Sequence, residues 1–153
     1  MKAVIQRVTS ASVAIDSKVT GSIGTGFVVL LGVGRDDTEA QVEQLWNKVF
    51  KLRIFGDGDK PTGASLADVD GEVLIISQFT LYADCRKGNR PSFGNAGDPR
   101  EAQRLYELFV ERARADVARV QTGEFGADMK VSLVNDGPFT ICLDTDELSR
   151  PRK

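Results

Sequence analysis

The sequence predicts one α/β domain of the α+β kind, residues 1–153, in which a largely antiparallel, barrel-like sheet packs against two main helices. Three observations lead to this prediction. The first third of the chain alternates short apolar stretches with turn residues, as strands do. The connections between these strands are too short for helical crossovers, which favours antiparallel pairing. Two later segments carry apolar residues at the spacing of amphipathic helices.

Strand signals come first along the chain. Turn chemistry at Asp16-Ser17-Lys18 predicts a hairpin between the second and third strands. A turn-rich loop is predicted at residues 56–71 because Gly, Asp and Pro cluster there. The predicted strands are residues 2–8, 11–15, 19–23, 27–31, 52–55, 72–76, 130–134 and 139–143.

Helix signals are equally local. Thr38 followed by Gln41 forms a capping box, which predicts the start of the first helix. Asp98 as a cap and Pro99 in the first turn predict a second helix that ends near Val117. The apolar stripe of the first helix is Val42, Leu45, Trp46, Val49 and Phe50.

Composition limits the chemistry that is available. The chain has no histidine, so no serine or cysteine nucleophile can use an imidazole base. Cys85 and Cys142 are single and far apart, which fits free thiols in a reducing compartment. Cys142 lies in an apolar run and is expected in the core. No apolar run is long enough to span a membrane and no signal pattern opens the chain, so a cytoplasmic protein is expected.

Two motifs that suggest cofactors fail in detail. Gly32-Val33-Gly34 follows a buried strand, but Asp37 stands where a dinucleotide fingerprint needs its third glycine. Asp57-Gly58-Asp59 resembles part of a calcium loop, but Pro61 occupies the next ligand position, so a turn is predicted. Neither a cofactor nor a metal is expected.

The polar run Ser77-Gln78-Phe79-Thr80 directly follows the apolar residues 73–76. That apolar stretch is typical of a strand covered on both faces. Polar side chains at the end of such a strand predict a pocket. The alternative is that they satisfy a turn and face water.

Gly137-Pro138 interrupts two apolar strands. One interpretation is an ordinary hairpin turn. The other is a cis peptide bond, which turns two successive carbonyls to the same side and creates a small receptor for a cation. The sequence leaves both open.

A basic loop contains Arg86, Lys87 and Arg90, although the net charge of the chain is −2. The whole chain therefore gives no electrostatic reason to bind nucleic acid. Either the loop is simply solvated, or it makes local contacts with phosphates.

Residues 4–8, 77–84, 90–93, 122–129 and 134–138 form five segments with a specific pattern. Together these segments resemble the D-aminoacyl-tRNA deacylases of bacterial type. The resemblance covers essentially the whole chain, and the order of the segments is specific. Phe139 departs from the valine that is more usual after the Gly-Pro pair. Ser77 favours the D-specific branch over a similar family that acts on L-alanine and has proline there.

This resemblance implies a homodimer that hydrolyses the ester of D-aminoacyl-tRNA, and of glycyl-tRNA, as proofreading in translation. Ser77, Gln78, Phe79 and Thr80 would form the catalytic floor, with backbone N–H groups around Phe79 and Thr80 as an oxyanion hole. The 2′-hydroxyl of the terminal adenosine would help to activate water. Thr80 as nucleophile is the alternative.

The resemblance also implies substrate contacts. A Gly-cisPro motif, Gly137 and Pro138 of the partner subunit, would hold the substrate ammonium and exclude L side chains, with Arg7 and Met129 as its braces. Arg86, Lys87 and Arg90 would contact tRNA. The expected partners are a second copy and aminoacylated tRNA, with no membrane and no DNA. A non-catalytic dimeric RNA-binding protein is the alternative from another class.

Overall fold

The structure is a computed structural model that describes residues 1–152. A 3₁₀ turn, Phe79–Tyr82, follows the sixth strand. The strands are β1 (Lys2–Ile15), β2 (Lys18–Ile23), β3 (Gly26–Gly32), β4 (Phe55–Asp57), β5 (Lys60–Ala64), β6 (Glu72–Ser77), β7 (Val120–Thr122) and β8 (Lys130–Asp144), and the helices are α1 (Glu39–Lys51), α2 (Pro99–Asp116) and α3 (Thr145–Leu148).

Strand β1 organises the main sheet. It pairs antiparallel with β2, β3 and β8, while β3, β6 and β7 pair in parallel. The predicted α+β class and barrel-like sheet are confirmed. The two parallel pairings arise because the connections from β3 to β6 and from β6 to β7 pass through α1 and α2, which are long enough for crossovers.

The first two predicted strands form one continuous strand. Thr9 and Ser10, at the predicted break, are exposed but remain within β1. These residues lie where the partner of β1 changes from β3 to β2, and Ser10 still pairs with Val134 of β8, so the prediction of a break was wrong. The predicted hairpin is confirmed, because Asp16 and Ser17 join β1 to β2 with φ of 49° and 64°, as a type I′ turn requires.

Strand β6 separates two apolar cores. Val73 and Ile75 pack with α1 and α2 on one face, and Leu74 and Ile76 pack inside the curved sheet on the other. The prediction of a strand buried on both faces is therefore confirmed. Trp46 is also in the core, where its ring meets Phe109 edge to face at 5.5 Å.

The helix caps form as predicted. Thr38 and Gln41 make the capping box of α1. The Asp98 carboxylate accepts hydrogen bonds from the N–H groups of Arg100 and Glu101 at the start of α2. Across residues 1–152, no helix combines the length and apolar character that crossing a membrane requires.

Other local predictions were wrong. Residues 52–54 are not a strand, and the segment predicted as a loop at 56–71 contains β5, which pairs with β4. Asp57 pairs with Lys60, so Gly58-Asp59 form the predicted turn. Cys142 is exposed because alternate side chains of β8 point away from the core. The short β7 and α3 carried no signal strong enough to predict them.

Candidate active site

The polar run begins where β6 ends. Ser77 is the last residue of β6 and pairs with Leu31 of β3. The Gln78 N–H donates to the Leu31 carbonyl at 2.7 Å, and the Leu81 N–H donates to the Gln78 carbonyl at 3.2 Å. These bonds fix the path from the buried strand into the 3₁₀ turn.

Tyr82, the last residue of the 3₁₀ turn, holds the turn in place. Its hydroxyl donates to the Asp37 carboxylate at 3.3 Å, and the same carboxylate oxygen accepts from the Gly34 N–H at 2.6 Å. Burial, and then the Asp37 charge, raise the pKa of Tyr82, so the phenol stays protonated and keeps donating. These hydrogen bonds therefore fix the turn beside the loop that leads into α1.

Two cavities flank this turn. The first, of about 420 Å³, is mainly apolar and reaches the start of α2 at Pro99. Phe79 and Phe93 stand in this cavity's wall edge to face, with their ring centroids 5.0 Å apart. The second cavity, of about 250 Å³, is lined partly by Gln78 and Met129. Both cavities are lined by Ser77, Phe79, Phe125 and Gly126.

Phe125 is a site residue that was not assigned from the sequence. It lines both cavities, and its ring lies 5.8 Å from that of Tyr106 on α2. Tyr106 is in turn held by a hydrogen bond from its hydroxyl to the Ile75 carbonyl at 3.0 Å. An aromatic residue between two glycines in a stretch without periodicity was the available signal.

Ionisable groups are scarce at the two cavities. Within residues 1–152, Asp128 is the ionisable residue among those that line them. Its carboxylate is 87% exposed and lies 3.1 Å from Lys130 Nζ. The Thr80 hydroxyl accepts a hydrogen bond from the Gln78 side-chain amide, which does nothing to activate it as a nucleophile.

Metal ligands are not assembled in the part of the chain that the structure describes. In residues 1–152, no group of three or more Cys, Asp or Glu side chains is arranged to hold a metal ion.

Gly137 and Pro138 form an extended bulge in β8. Gln6 pairs with Thr140 and Val8 pairs with Asn135, so residues 136–139 lie opposite Arg7 alone. Both halves of β8 pair with the same strand, which is not the arrangement of a hairpin. The Gly137–Pro138 peptide bond is cis, and both residues are exposed.

Arg7 contacts this bulge closely. Its Nε donates to the Asp136 carbonyl at 3.1 Å and its Nη1 to the Ile54 carbonyl at 2.5 Å. The guanidinium also lies 4.9 Å from the centre of the Phe139 ring, a contact worth about 0.5–2 kcal/mol. A Cβ on Gly137 would lie only 2.9 Å from Arg7 Nη2, and its φ of 125° disfavours other residues.

One chain does not bring the bulge and the polar run together. Arg7 pairs with Phe27, Phe27 pairs with Val73, and Ser77 lies four residues beyond Val73. That offset is about 13 Å along the strands, at roughly 3.3 Å per residue. Met129 lies with Ser77 in the second cavity rather than with the bulge of its own chain.

The basic loop is a small closed unit. Backbone hydrogen bonds between Asp84 and Ser92, at 2.8 and 3.0 Å, close its base. The Arg86 guanidinium donates hydrogen bonds to both carboxylate oxygens of Asp84, and these bonds lower the pKa of that carboxyl to about 2. The positive charge of Arg86 is therefore compensated by Asp84, and Lys87 and Arg90 carry the remaining exposed positive charge of the loop.

Known proteins match the chain along nearly all of its length. A family described as D-Tyr-tRNA(Tyr) deacylase matches residues 4–144. A D-aminoacyl-tRNA deacylase of Thermosipho melanesiensis is 52% identical over 149 residues, which are 97% of this chain and 99% of that protein. A D-aminoacyl-tRNA deacylase of Clostridium botulinum is 54% identical over 145 residues, 95% of this chain and 97% of that protein.

Two solved structures share the fold. A structure of "c-Myc DNA Unwinding Element Binding Protein" is 40% identical with a TM-score of 0.89, and the match covers 94% of this chain and 98% of that one. A probable eukaryotic D-amino acid tRNA deacylase is 17% identical with a TM-score of 0.81, covering 93% and 97%. At that identity the second likeness concerns the fold alone.

Proposed function

The chain belongs to the D-Tyr-tRNA(Tyr) deacylase family, and we propose that it hydrolyses the ester bond between a D-amino acid and the 3′ end of tRNA. The reaction releases free amino acid and tRNA and so removes wrongly charged tRNA before translation. Its place of action would be the cytoplasm, where charged tRNA is used. The observation that carries this proposal is the pair of cavities that meet at Ser77 and Phe79.

The two cavities suit the two parts of such a substrate. The first is apolar and lined by the aromatic rings of Phe79, Phe93 and Phe125, as a flat nucleobase requires. The second is smaller and more polar, and it accommodates the aminoacyl group. The ester that joins the two parts then lies at their common wall, beside Ser77.

Electrostatic stabilisation comes from the start of the 3₁₀ turn. The first N–H groups of a helical turn have no partner within it, so those of Phe79 and Thr80 are available to the ester oxygen. Water attacks the carbonyl carbon, negative charge develops on the carbonyl oxygen, and the 3′-oxygen leaves with a proton. The adenosine 2′-hydroxyl accepts the proton of the attacking water and relays one to the leaving oxygen.

Selection of the D form falls to the bulge of a second protomer. The Gly137 and Pro138 carbonyls bind the substrate ammonium, and their closeness to the α-carbon leaves no room for an L side chain. Arg7 holds the motif in place within its own protomer. Met129 belongs to the other protomer, and it contacts the motif where the motif enters that protomer's second cavity. Glycine, which has no side chain, passes this filter.

A two-fold homodimer is the expected state of the active enzyme. Within residues 1–152, β8 pairs with β1 along one edge and has no strand along the other, although it is 15 residues long. Long unpaired edges invite pairing with another chain. Sedimentation equilibrium at micromolar concentration should therefore give twice the mass of one chain, and an active monomer would contradict the proposal.

A matched pair of variants locates the interface. Val134, beside the bulge, and Val19, on β2, are similarly exposed, at 56% and 59%. We expect Val134→Glu to dissociate the dimer and abolish deacylation, and Val19→Glu to leave both unchanged. Equal behaviour of the two variants would place the interface elsewhere.

The basic loop gives the tRNA a second contact. Lys87 and Arg90 are exposed and line a cavity of about 540 Å³ together with Asp84, Arg86 and Ser92. Such cations suit acceptor-stem phosphates, which attract proteins without regard to sequence. Arg86 takes a smaller part because its charge is compensated by Asp84.

Turnover separates an enzyme from a non-catalytic RNA-binding protein. With catalytic amounts of the protein, D-tyrosyl-tRNA should be deacylated over many turnovers while L-tyrosyl-tRNA remains charged. Binding of both substrates without turnover would favour the RNA-binding alternative. Equal rates on a free D-tyrosine ester would instead indicate a general small-molecule esterase.

A further inference from the structure

Asn135 closes the neck of the bulge in β8. Its Nδ2 donates to the Phe139 carbonyl at 3.0 Å, and its Oδ1 accepts from the Phe139 N–H at 3.2 Å. The same Nδ2 donates to the Arg7 carbonyl at 3.0 Å. One side chain thus joins both ends of the bulge to each other and to β1.

These bonds replace the sheet ladder where it is interrupted. Arg7 has no partner residue in the register between β1 and β8, because Gln6 pairs with Thr140 and Val8 with Asn135. A bulge leaves such backbone groups without ladder partners, and a short amide side chain can take their place. The donor and acceptor of Asn135 face a carbonyl and an N–H of Phe139 in the way a neighbouring strand would.

Arg7 and Asn135 hold different parts of the bulge. The Arg7 guanidinium donates to the carbonyl of Asp136, on the first side of the bulge, and to that of Ile54, so it links the two. Asn135 fixes Phe139, on its second side, and with it the distance across the neck. Gly137 and Pro138 lie between these two anchors, so the direction of their carbonyls depends on both.

We infer that Asn135 is a positioning residue for chiral selection: its side-chain amide sets where the Gly137 and Pro138 carbonyls point, and so how well D and L substrates are distinguished. The inference rests on the proposed function. It assigns Asn135 no contact with substrate, because the residue acts through the two that follow it.

Two variants separate hydrogen bonding from the filling of space. Asn135→Asp keeps the size of the side chain but removes both donors, and Asn135→Ala removes the whole amide. We expect each to lower the ratio of D-tyrosyl-tRNA to L-tyrosyl-tRNA hydrolysis by about tenfold or more, equivalent to roughly 1.4 kcal/mol. Part of this change should be a faster reaction with L-tyrosyl-tRNA. A merely structural role would lower both rates together and leave the ratio unchanged.

Ser22→Ala provides the control, since Ser22 is exposed on β2 and pairs with Ser12 away from the bulge. Its ratio should equal that of the wild type. If Asn135→Ala does not fold, Asn135→Ser, which keeps one donor and one acceptor, is measured in the same way. Ratios within twofold of the wild type in the folded variants would overturn the inference.

The activity of the wild-type protein distinguishes a failure of the proposed function from a failure of the role inferred for Asn135. If it does not deacylate D-tyrosyl-tRNA, the proposed function fails and the role of Asn135 fails with it. If the wild type is active and selective but the Asn135 variants keep its ratio, the proposed function stands and the role of Asn135 alone is rejected.

Discussion

A D-aminoacyl-tRNA whose terminal adenosine lacks the 2′-hydroxyl should be hydrolysed at least about a hundredfold more slowly than the normal substrate, the usual contribution of a positioned proton-transfer group. Thr80→Ala should keep its rate within about tenfold of the wild type, because removing a hydrogen-bonded hydroxyl costs about 0.5–1.5 kcal/mol. The reason is that the chain has no imidazole, and within residues 1–152 the Thr80 hydroxyl has the Gln78 amide as its one side-chain partner.

Single-turnover rates with enzyme in excess measure this difference without interference from product release. Binding of the 2′-deoxy substrate must be shown to be unchanged, so that a slow rate reports chemistry. Asp128→Asn tests the remaining ionisable residue at the cavities and should be nearly as active as the wild type, because Asp128 is exposed and paired with Lys130. A fast 2′-deoxy substrate together with an inactive Thr80→Ala would identify Thr80 as the nucleophile.

Glycyl-tRNA should be hydrolysed at a rate within about tenfold of D-tyrosyl-tRNA, whereas L-alanyl-tRNA should react more slowly than glycyl-tRNA by at least about tenfold. Forcing one extra methyl group into a filled site costs roughly 1–3 kcal/mol, which sets this scale. A site that reads the ammonium through the carbonyls of Gly137 and Pro138 has no contact with which to reject glycine.

Rates for the three substrates are compared on the same tRNA body wherever charging allows it. This controls for differences in tRNA affinity. If glycyl-tRNA proved as resistant as L-alanyl-tRNA, the site would have to recognise the D side chain directly, and exclusion by shape would be wrong.

Local sequence signals predicted the elements that depend on local chemistry. The capping box of Thr38 and Gln41 and the turn at Asp16 and Ser17 depend on neighbouring residues alone, and both are found. The apolar run 73–76 predicted a doubly covered strand because four branched apolar residues in succession are typical of one.

Features that depend on distant pairing were not predictable in the same way. The sequence predicted a break at Thr9 and Ser10 because the partner of Ser10, Val134 on β8, is far away in sequence. Cys142 read as core because its neighbours are apolar, although its own side chain points outward. Phe125 becomes a cavity wall only once the segment after β7 returns to the end of β6, a contact that periodicity does not reveal.

The pairing of β1 with β8 makes the order of synthesis matter. Lys2 pairs with Asp144, so β1 waits for a strand that is synthesised much later. Until then β1 has β2 and β3 on one side only, and its other edge is open to the wrong partners. Contacts so distant in sequence slow folding, because the long intervening loop must close before they form. The residues that shape the bulge, Arg7 and Asn135, therefore meet only once β8 has been made and the sheet is completed.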